Sequence, residues 1–425
     1  GTTGMAAAFR PTRRLKRVLT AAGLTVFGVS CYLKSRPLFE RRSSDALAGV
    51  GIAGHQQIAA VASRRPPPCF CCSSSESSGS IDSNSAHGGR LVGKQTRRGF
   101  VTFLRGGQED LESSVHKLEM GEFDVYLLND GDIELPLAKM FPHISADMWQ
   151  ERFSDIQPDD IARLSSGCVL VVRKPVRHHH KRGSLKGGGT KELYAANHIL
   201  LDSALGIINP QRWPKRDLRH LLLHAANIRP EDIDLVVHTH LHSDHTGWNV
   251  IEDPEEEGKI IPLFSNAKHC VQEREWDFWT SSEDLKARTQ YDIKLRPLEE
   301  RGMMTKIQGR QWLTPGVEVV PCEGHTPGHQ VIRIVDGKDS EKRGVYWIGD
   351  AMHHLAQVQS PAWSPVFDWD PEISAKSRIR LMKNIVEENA ILLSPHFPYP
   401  GCGTIAVDND SCDNEGSNCF RFIPM

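Results

Sequence analysis

Along FDVYLLNDGDIELP, from Phe123 to Pro136, apolar and polar positions alternate as in a strand, and Asn129-Asp130-Gly131 breaks the run with a hairpin signal. This pattern places the onset of folded character near Glu119. Strand character fades over residues 136–168. There PHISADMWQERF predicts a short helix after Ser145, and IQPDDIARLSSG predicts a second. CVLVVRKPV (168–176) predicts a strand, and NHILLDSALG (197–206) an apolar strand ending on Asp202. RDLRHLLLHAANI has the apolar spacing of a helix, and RPEDIDLVVHTH turns into a β-branched strand. KHCVQEREWDFW and SEDLKARTQYDIKL predict helices. GVEVVPCEG, HQVIRIVDG and GVYWIGD predict three strands joined by Gly-rich turns. SAKSRIRLMKNIVEEN predicts a helix, AILLSPH a strand, and CFRFIPM a final edge strand. Strands interleaved with helices argue an α/β domain whose helices cover its sheets.

The first hundred residues follow no such pattern. A chain of 425 residues can hold two or three average domains, or one α/β domain of about 300 residues behind an unstructured leader. From Met5 to Pro68 the only acids are Glu40 and Asp45, among many Lys and Arg. The uncharged stretch Val18–Leu33 follows the basic cluster Arg13–Arg17 and is short for a membrane span, which needs roughly 20 residues. It is similar to a signal h-region or part of an organelle transit peptide, for a plastid or mitochondrion, with the secretory route open. SRRPPPCFCC and SSSESSGSIDSNSAHGG cannot build a core, so Cys69 to Cys72 read as flexible leader. The expected division is a targeting or disordered leader over 1–115 and a folded domain over 116–425.

Charge narrows the partners. The formal net charge is −2, which gives nucleic acid or an acidic membrane no global attraction. Ten cysteines without paired CxxC spacing imply neither a disulfide framework nor a zinc ribbon. His178-His179-His180 sit among Arg177, Lys181 and Arg182, where fixed cations repel a metal, so they read as surface loop. EDPEEEG, from Glu252, reads as a solvated acidic turn, and Trp276, Phe278 and Trp279 as core.

The chemistry concentrates in VVHTHLHSDHTGWN (236–249), which packs His238, His240, His242 and His245 around Asp244. DLVVH suits a buried strand, and the cluster follows at its C-terminal end, where α/β sheets place their sites. Neutral imidazoles suit zinc, and a carboxylate adds an oxygen ligand. A short turn cannot close such a site alone. Distant candidates are His325 and His329 in GHTPGH, Asp350 at the end of YWIGD, and His396 in LLSPHFPYPG, each at the end of an apolar strand beside Gly or Pro.

H-x-H-x-D-H at His240, His242, Asp244 and His245, then GHTPGH, then Gly-Asp, then a late His, resembles the metallo-β-lactamase-fold hydrolases over residues 119–425. The resemblance implies an αββα four-layer sandwich. It puts His240, His242 and His325 on a first metal, Asp244, His245 and His396 on a second, and Asp350 between them. The implied cofactors are two Zn2+, with iron or manganese as alternatives. His238 falls outside this set. His329 and Asp202 are expected to orient it through hydrogen bonds. DSALG departs from the family's Asp-x-Gly after that acid. Two dications need an anionic bridge, and metal lowers the pKa of water to about 7 from about 15.7. Asp244, beside the resulting hydroxide, is the expected proton carrier.

HLHSDHTGWN, GDAMHHLAQVQSPAW, HFPYPGCGTI and NDGDIELP are most similar to the branch of methyl parathion hydrolase and the N-acyl homoserine lactonases. In that branch the early segment forms part of the pocket. Met140, Phe141 and Trp149 are therefore candidates for an apolar wall, with core packing as the alternative. His353 and His354 are candidates for the pocket rim, only one of them inward if the segment is extended. The implied function is a dinuclear hydrolase of a small ester-like substrate: lactone, ester, thioester or phosphotriester. The alternatives are a mononuclear iron dioxygenase of the persulfide type and a binding protein that keeps the fold without turnover. A small-molecule partner is expected, with no nucleic acid, no stable membrane span, and a homodimer as an open assembly.

Overall fold

The structure is a computed structural model that describes residues 111–153, 155–175, 196–206, 216–336, 343–408 and 420–425. The expected leader up to 110, the CFCC run and His178-His179-His180 lie outside the described residues.

Two seven-stranded sheets form the domain. The first orders β1 (Val115–Met120), β2 (Phe123–Pro136), β3 (Ile161–Arg173), β4 (His198–Leu201), β5 (Leu235–Val237), β8 (Lys268–Gln272) and β9 (Met304–Ile307) side by side. The second runs in chain order from β10 (Gln311–Thr314) through β11 (Val317–Pro321), β12 (Gln330–Ile334), β13 (Val345–Trp347), β14 (Ile391–Leu393) and β15 (Cys402–Val407) to β16 (Phe420–Pro424). A small hairpin, β6 (Val250–Glu252) with β7 (Ile260–Pro262), stands apart. The acidic run after Glu252 is its exposed turn.

The period of two along each strand builds the layers. Val125, Leu127, Val169 and Val171 face inward against Val317, Val319, Ile332 and Trp347 of the second sheet. Their neighbours Tyr126, Leu128, Leu170 and Leu200 face outward against Leu218, Leu221 and Leu222. On the far side, Val331, Tyr346 and Leu392 meet Leu381, Met382 and Ile385. The result is helix, sheet, sheet, helix. Each fully buried Leu, Val or Ile side chain in these faces contributes about 1.5–3 kcal/mol.

The helices begin where polar side chains cap them. Ser145 accepts from Met148 N at 3.2 Å to start α1 (Ala146–Arg152). Asp217 starts α2 (Leu218–Ala226). The helix α3 (Glu273–Thr280) follows directly on β8. Asp370 accepts from the backbone of Glu372 and Ile373 to start α4 (Pro371–Glu387), with Pro371 in its first turn.

Three expectations fail, each for a local reason. Asn129-Asp130-Gly131 is not a hairpin turn: β2 runs straight through it and pairs with β3 along its length, with a bulge between Asn129 and Gly131. The Asn129 side chain accepts the Gly131 N–H at 3.0 Å, so the turn chemistry is used inside a strand. IQPDDIARLSSG is not a helix. From Ile161 it is strand, with Ala162 and Leu164 inward between exposed Ile161 and Arg163. KHCVQ is a buried parallel strand between β5 and β9, and the helix begins only at Glu273. The packed chain also starts ahead of Glu119, since β1 opens at Val115 and Leu111 already packs on the core.

The strands β4, β5, β8 and β9 are mutually parallel. Their C-terminal ends therefore lie on one edge of the sandwich, where Asp202 and the histidine run emerge.

Candidate metal centre

Asp202 leaves β4 in a left-handed conformation (φ 59°) and is fully buried. Its carboxylate accepts from Thr239 N at 2.7 Å, from the Thr239 hydroxyl, from Trp347 Nε1 at 2.8 Å and from His245 Nδ1 at 3.1 Å. One acid thus ties the ends of β4, β5 and β13 together. The loop after it is locked by a backbone contact. A Cβ on Gly206 would stand 2.1 Å from Gly247 O, and one on Gly247 would stand 2.0 Å from Leu205 O. The DSALG spacing thus delivers its glycine two residues later than Asp-x-Gly would, and Ala204, at the place of that glycine, is itself at positive φ (48°).

Four histidines have one nitrogen committed outward. His240 Nδ1 lies 3.0 Å from the Thr239 hydroxyl, which itself donates to Asp202. His245 Nδ1 gives its proton to Asp202, His325 Nδ1 to Asp368 at 3.1 Å, and His396 Nδ1 to the Ser165 carbonyl at 2.9 Å. In each ring this leaves Nε2 facing the centre, free to take a proton or a metal. His242 turns the other way, with Nδ1 inward, 2.9 Å from His240 Nε2 and 3.0 Å from His325 Nε2.

These nitrogens and three carboxylate oxygens fall into two groups. His240, His242, His325 and Asp350 form one, and Asp244, His245 and His396 another; Asp350, His353 and His396 make a third that overlaps both, and within each the ligand atoms lie within 4.8 Å of one another. The two oxygens of Asp350 divide between the first two. Oδ2 stands 3.1 Å from His325 Nε2 and 3.6 Å from His240 Nε2, whereas Oδ1 stands 2.9 Å from His245 Nε2 and 3.0 Å from His396 Nε2. Asp244 Oδ2 is 3.7 Å from His245 Nε2 and 3.9 Å from His396 Nε2.

Such a cluster suits cations and little else. Lone pairs converging at about 3 Å repel one another unless a proton or metal lies among them. Buried Asp350 Oδ1 and His245 Nε2 have no hydrogen-bond partner in spite of their proximity. Burial, then the neighbouring His245, holds His240 well below the usual imidazole range; burial and His325 push His242 down to about 3. Both therefore stay in the neutral, metal-ligating form. Burial would raise the Asp350 carboxyl, yet His245, His396 and His240 hold it well below the carboxylate range.

The remaining candidates take distinct places. His329 receives the Asp350 N–H at Nε2 (3.0 Å) and donates from Nδ1 to the Cys322 carbonyl, so it orients the backbone of Asp350. Gly349, just before Asp350, is at φ 49°, and a Cβ there would stand 2.8 Å from both His329 Nε2 and Thr239. His238 lies away from both groups, buried, with Nε2 3.1 Å from His269 Nδ1. His353 faces the centre: Nε2 is 3.1 Å from Asp350 Oδ2 and its ring stacks on His396. His354 turns away, edge-on to Trp149. Met140, Phe141 and Trp149 are fully buried with Phe153 and Trp363, so they are interior packing and not an exposed apolar wall. Of the three aromatics read as core, Trp276 and Trp279 are buried, with Trp279 edge-on to His242, whereas Phe278 is half-buried and edge-on to the exposed Trp369.

Sequence reasoning missed the supports of this centre. Glu275, on α3, is fully buried and accepts from Leu241 N (3.1 Å), between His240 and His242, and from the Thr326 hydroxyl (2.7 Å) and Gly328 N (2.9 Å) beyond His325. Asp368 and Arg378 hold His325 from behind. One signal was present for Arg378: it shares the face of α4 that buries Leu381, Met382 and Ile385, where a cation needs a reason.

Comparison with known proteins agrees with the geometry. Residues 196–339 match the Metallo-beta-lactamase superfamily. An N-acyl homoserine lactonase of Bacillus cereus is 27% identical over 249 residues, 57% of this chain and 85% of that protein. A second, from Bacillus sp, is 27% identical over 177 residues, 41% of this chain and 60% of that protein. Among solved structures, AidC, described as a dizinc quorum-quenching lactonase, aligns with TM-score 0.55 and 21% identity over 74% of this chain and 98% of its own. A probable metal-dependent hydrolase from Staphylococcus aureus aligns with TM-score 0.53 and 18% identity over 72% of this chain and 99% of its own. At these identities the structural likeness establishes a shared fold.

Proposed function

Because residues 196–339 carry a metallo-β-lactamase superfamily domain, we propose that this chain is a dinuclear metal-dependent hydrolase of a small ester-like substrate, with lactones foremost. The observation that carries the reading is the division of Asp350: its two oxygens face two separate sets of imidazoles. His240, His242 and His325 would hold one ion, Asp244, His245 and His396 the other, and Asp350 both. Zinc is the ion proposed, on the nitrogen-rich donor set. Ions held there would supply a nucleophilic water at neutral pH and a Lewis acid for the substrate carbonyl.

The protein's own groups do the rest. Asp202, Asp368, the Thr239 hydroxyl and the Ser165 carbonyl fix which imidazole nitrogen faces inward. Asp244 is the most exposed of the three carboxylates at the centre, with 18% of its side chain accessible against 4% for Asp350 and none for Asp202. Burial works to raise its pKa, but His245 and His396 bring it below the usual value, so it is an anion at neutral pH. In lactone opening, water adds to the carbonyl carbon and the ring C–O bond breaks. Asp244 takes the proton that water loses and returns it to the departing alkoxide.

The mononuclear dioxygenase reading is disfavoured by the second group, Asp244, His245 and His396, which it leaves without a task. The lactone preference draws on the activity named for the Bacillus relatives. The test is metal analysis of the purified chain followed by a panel of lactones, thioesters and phosphotriesters. Two zinc ions per chain and turnover of a lactone are expected. One iron per chain with oxygen consumption would replace this reading with the dioxygenase. We further propose that residues 5–115 direct the chain to an organelle, which a fluorescent fusion of that segment confined to the cytosol would refute.

A further inference from the structure

Arg378 is a cation with no solvent access, seated on α4. Its planar fork is fully used. Nε donates to the Ala351 carbonyl at 2.8 Å, Nη1 to the carbonyls of Pro361 and Trp363, and Nη2 to Ser374 Oγ at 3.1 Å and Asp368 Oδ2 at 3.3 Å. Five donors meet five acceptors, and only one of them, Asp368, is charged. The other oxygen of Asp368 accepts from His325 Nδ1. Ala351 is the residue after Asp350. A single guanidinium therefore reaches a ligand of the first group through Asp368 and the residue following the shared carboxylate through Ala351.

A buried cation that served packing alone would be an expensive choice, since apolar residues of similar volume generally do as well or better. What a hydrophobic residue cannot do is hold several specific acceptors in one plane. We propose that Asp368 and Arg378 are positioning residues for the first metal: Asp368 fixes His325 with Nε2 toward Asp350, and Arg378 registers Asp368 against the Asp350–Ala351 turn. The anionic partner also makes His325 a stronger donor to the ion. This rests on the two-metal reading of the centre.

The experiment isolates the first group by working in the His396→Ala background, where the second set lacks a ligand. Metal-free full-length chains carrying His396→Ala alone, with Asp368→Asn, or with Arg378→Lys are titrated with Co2+ and followed by visible absorption. Asp368→Asn keeps the volume and an oxygen for His325, so it decides the matter even where Arg378→Lys fails to fold. The expected result is about 10–100-fold weaker Co2+ binding with shifted d–d bands in Asp368→Asn, at unchanged circular dichroism, and restoration toward the parent by Asp368→Glu. Unchanged affinity and bands in a folded Asp368→Asn chain would overturn the positioning role while leaving the two-metal reading standing. A wild-type chain that takes up no Co2+ would remove the two-metal reading and this inference with it.

Discussion

His245 gives its Nδ1 proton to Asp202 across 3.1 Å, and the opposite nitrogen of the same ring stands 2.9 Å from Asp350. The bond chooses which face of the imidazole is presented. Asp202→Asn keeps the left-handed backbone, which Asn tolerates, but removes the charge. It should weaken binding of the second ion about 10–100-fold, read as metal content after dialysis. Asp202→Ala should in addition strand the Trp347 and Thr239 N–H groups, at about 1–3 kcal/mol each, seen as a lower urea midpoint.

Glu275 joins the two loops that carry the first group. Its burial raises its pKa, and its donors, the Thr326 hydroxyl first among them, pull the other way. Glu275→Gln turns one acceptor oxygen into a donor facing other donors. The expected outcome is loss of about 1–3 kcal/mol per stranded donor together with loss of metal. A variant with wild-type stability and metal content would show the clamp to be idle.

His353 and His354 should separate cleanly. His353→Ala removes a contact to Asp350 and should lower kcat about 10–100-fold. His354→Ala removes an edge-on contact to Trp149, worth about 0.5–1.5 kcal/mol, and should leave turnover alone. Trp149→Ala should cost about 3–5 kcal/mol of stability through its core packing. Steady-state kinetics and denaturation curves on the three variants give both axes.

His396→Ala should leave one ion per chain and remove most hydrolysis. His240→Ala should lose the first ion, whereas His238→Ala, whose ring meets His269, should retain both. Elemental analysis distinguishes the three. Undiminished turnover in His396→Ala would end the two-metal mechanism.

In the metal-free chain, burial lowers the His325 pKa, but Asp350 and Asp368 more than offset it and hold the ring at about 9. The raised value means that the proton on His325 stabilises the metal-free fold fully below the unfolded value of about 6.5. That contribution is lost as pH rises through about 9. A metal must displace this proton, so apparent affinity should climb with pH up to about 9 and level off above it. Competition against a chelator at several pH values measures the slope. A flat profile between pH 6.5 and 9 would contradict the assignment of His325 as a ligand.

His325, Asp350 and His396 stood out because each follows an apolar strand beside Gly or Pro, and His240, His242, Asp244 and His245 because they crowd one short run after β5. What holds them did not. Asp368 lies 43 positions from His325 and 10 from Arg378, and neither belongs to a motif. Glu275 sits in a charged run, EREWD, where only the fold shows which acid turns inward. The two strands misread as helix share a cause. Ile161–Gly167 and Lys268–Gln272 alternate with small or polar residues, and their partners, β2 on one side and β5 and β9 on the other, supply the hydrogen bonds that local pattern does not declare.

The contact between Gly206 and Gly247 has a practical bearing on redesign. Two loops that serve the centre are joined there backbone to backbone, with no side chain to trim on either face. A bulkier residue at one glycine has no compensating change at the other, because each is already the smallest residue. Directed evolution of substrate range should therefore recover both positions as glycine in every active clone, and libraries gain by leaving those two codons fixed.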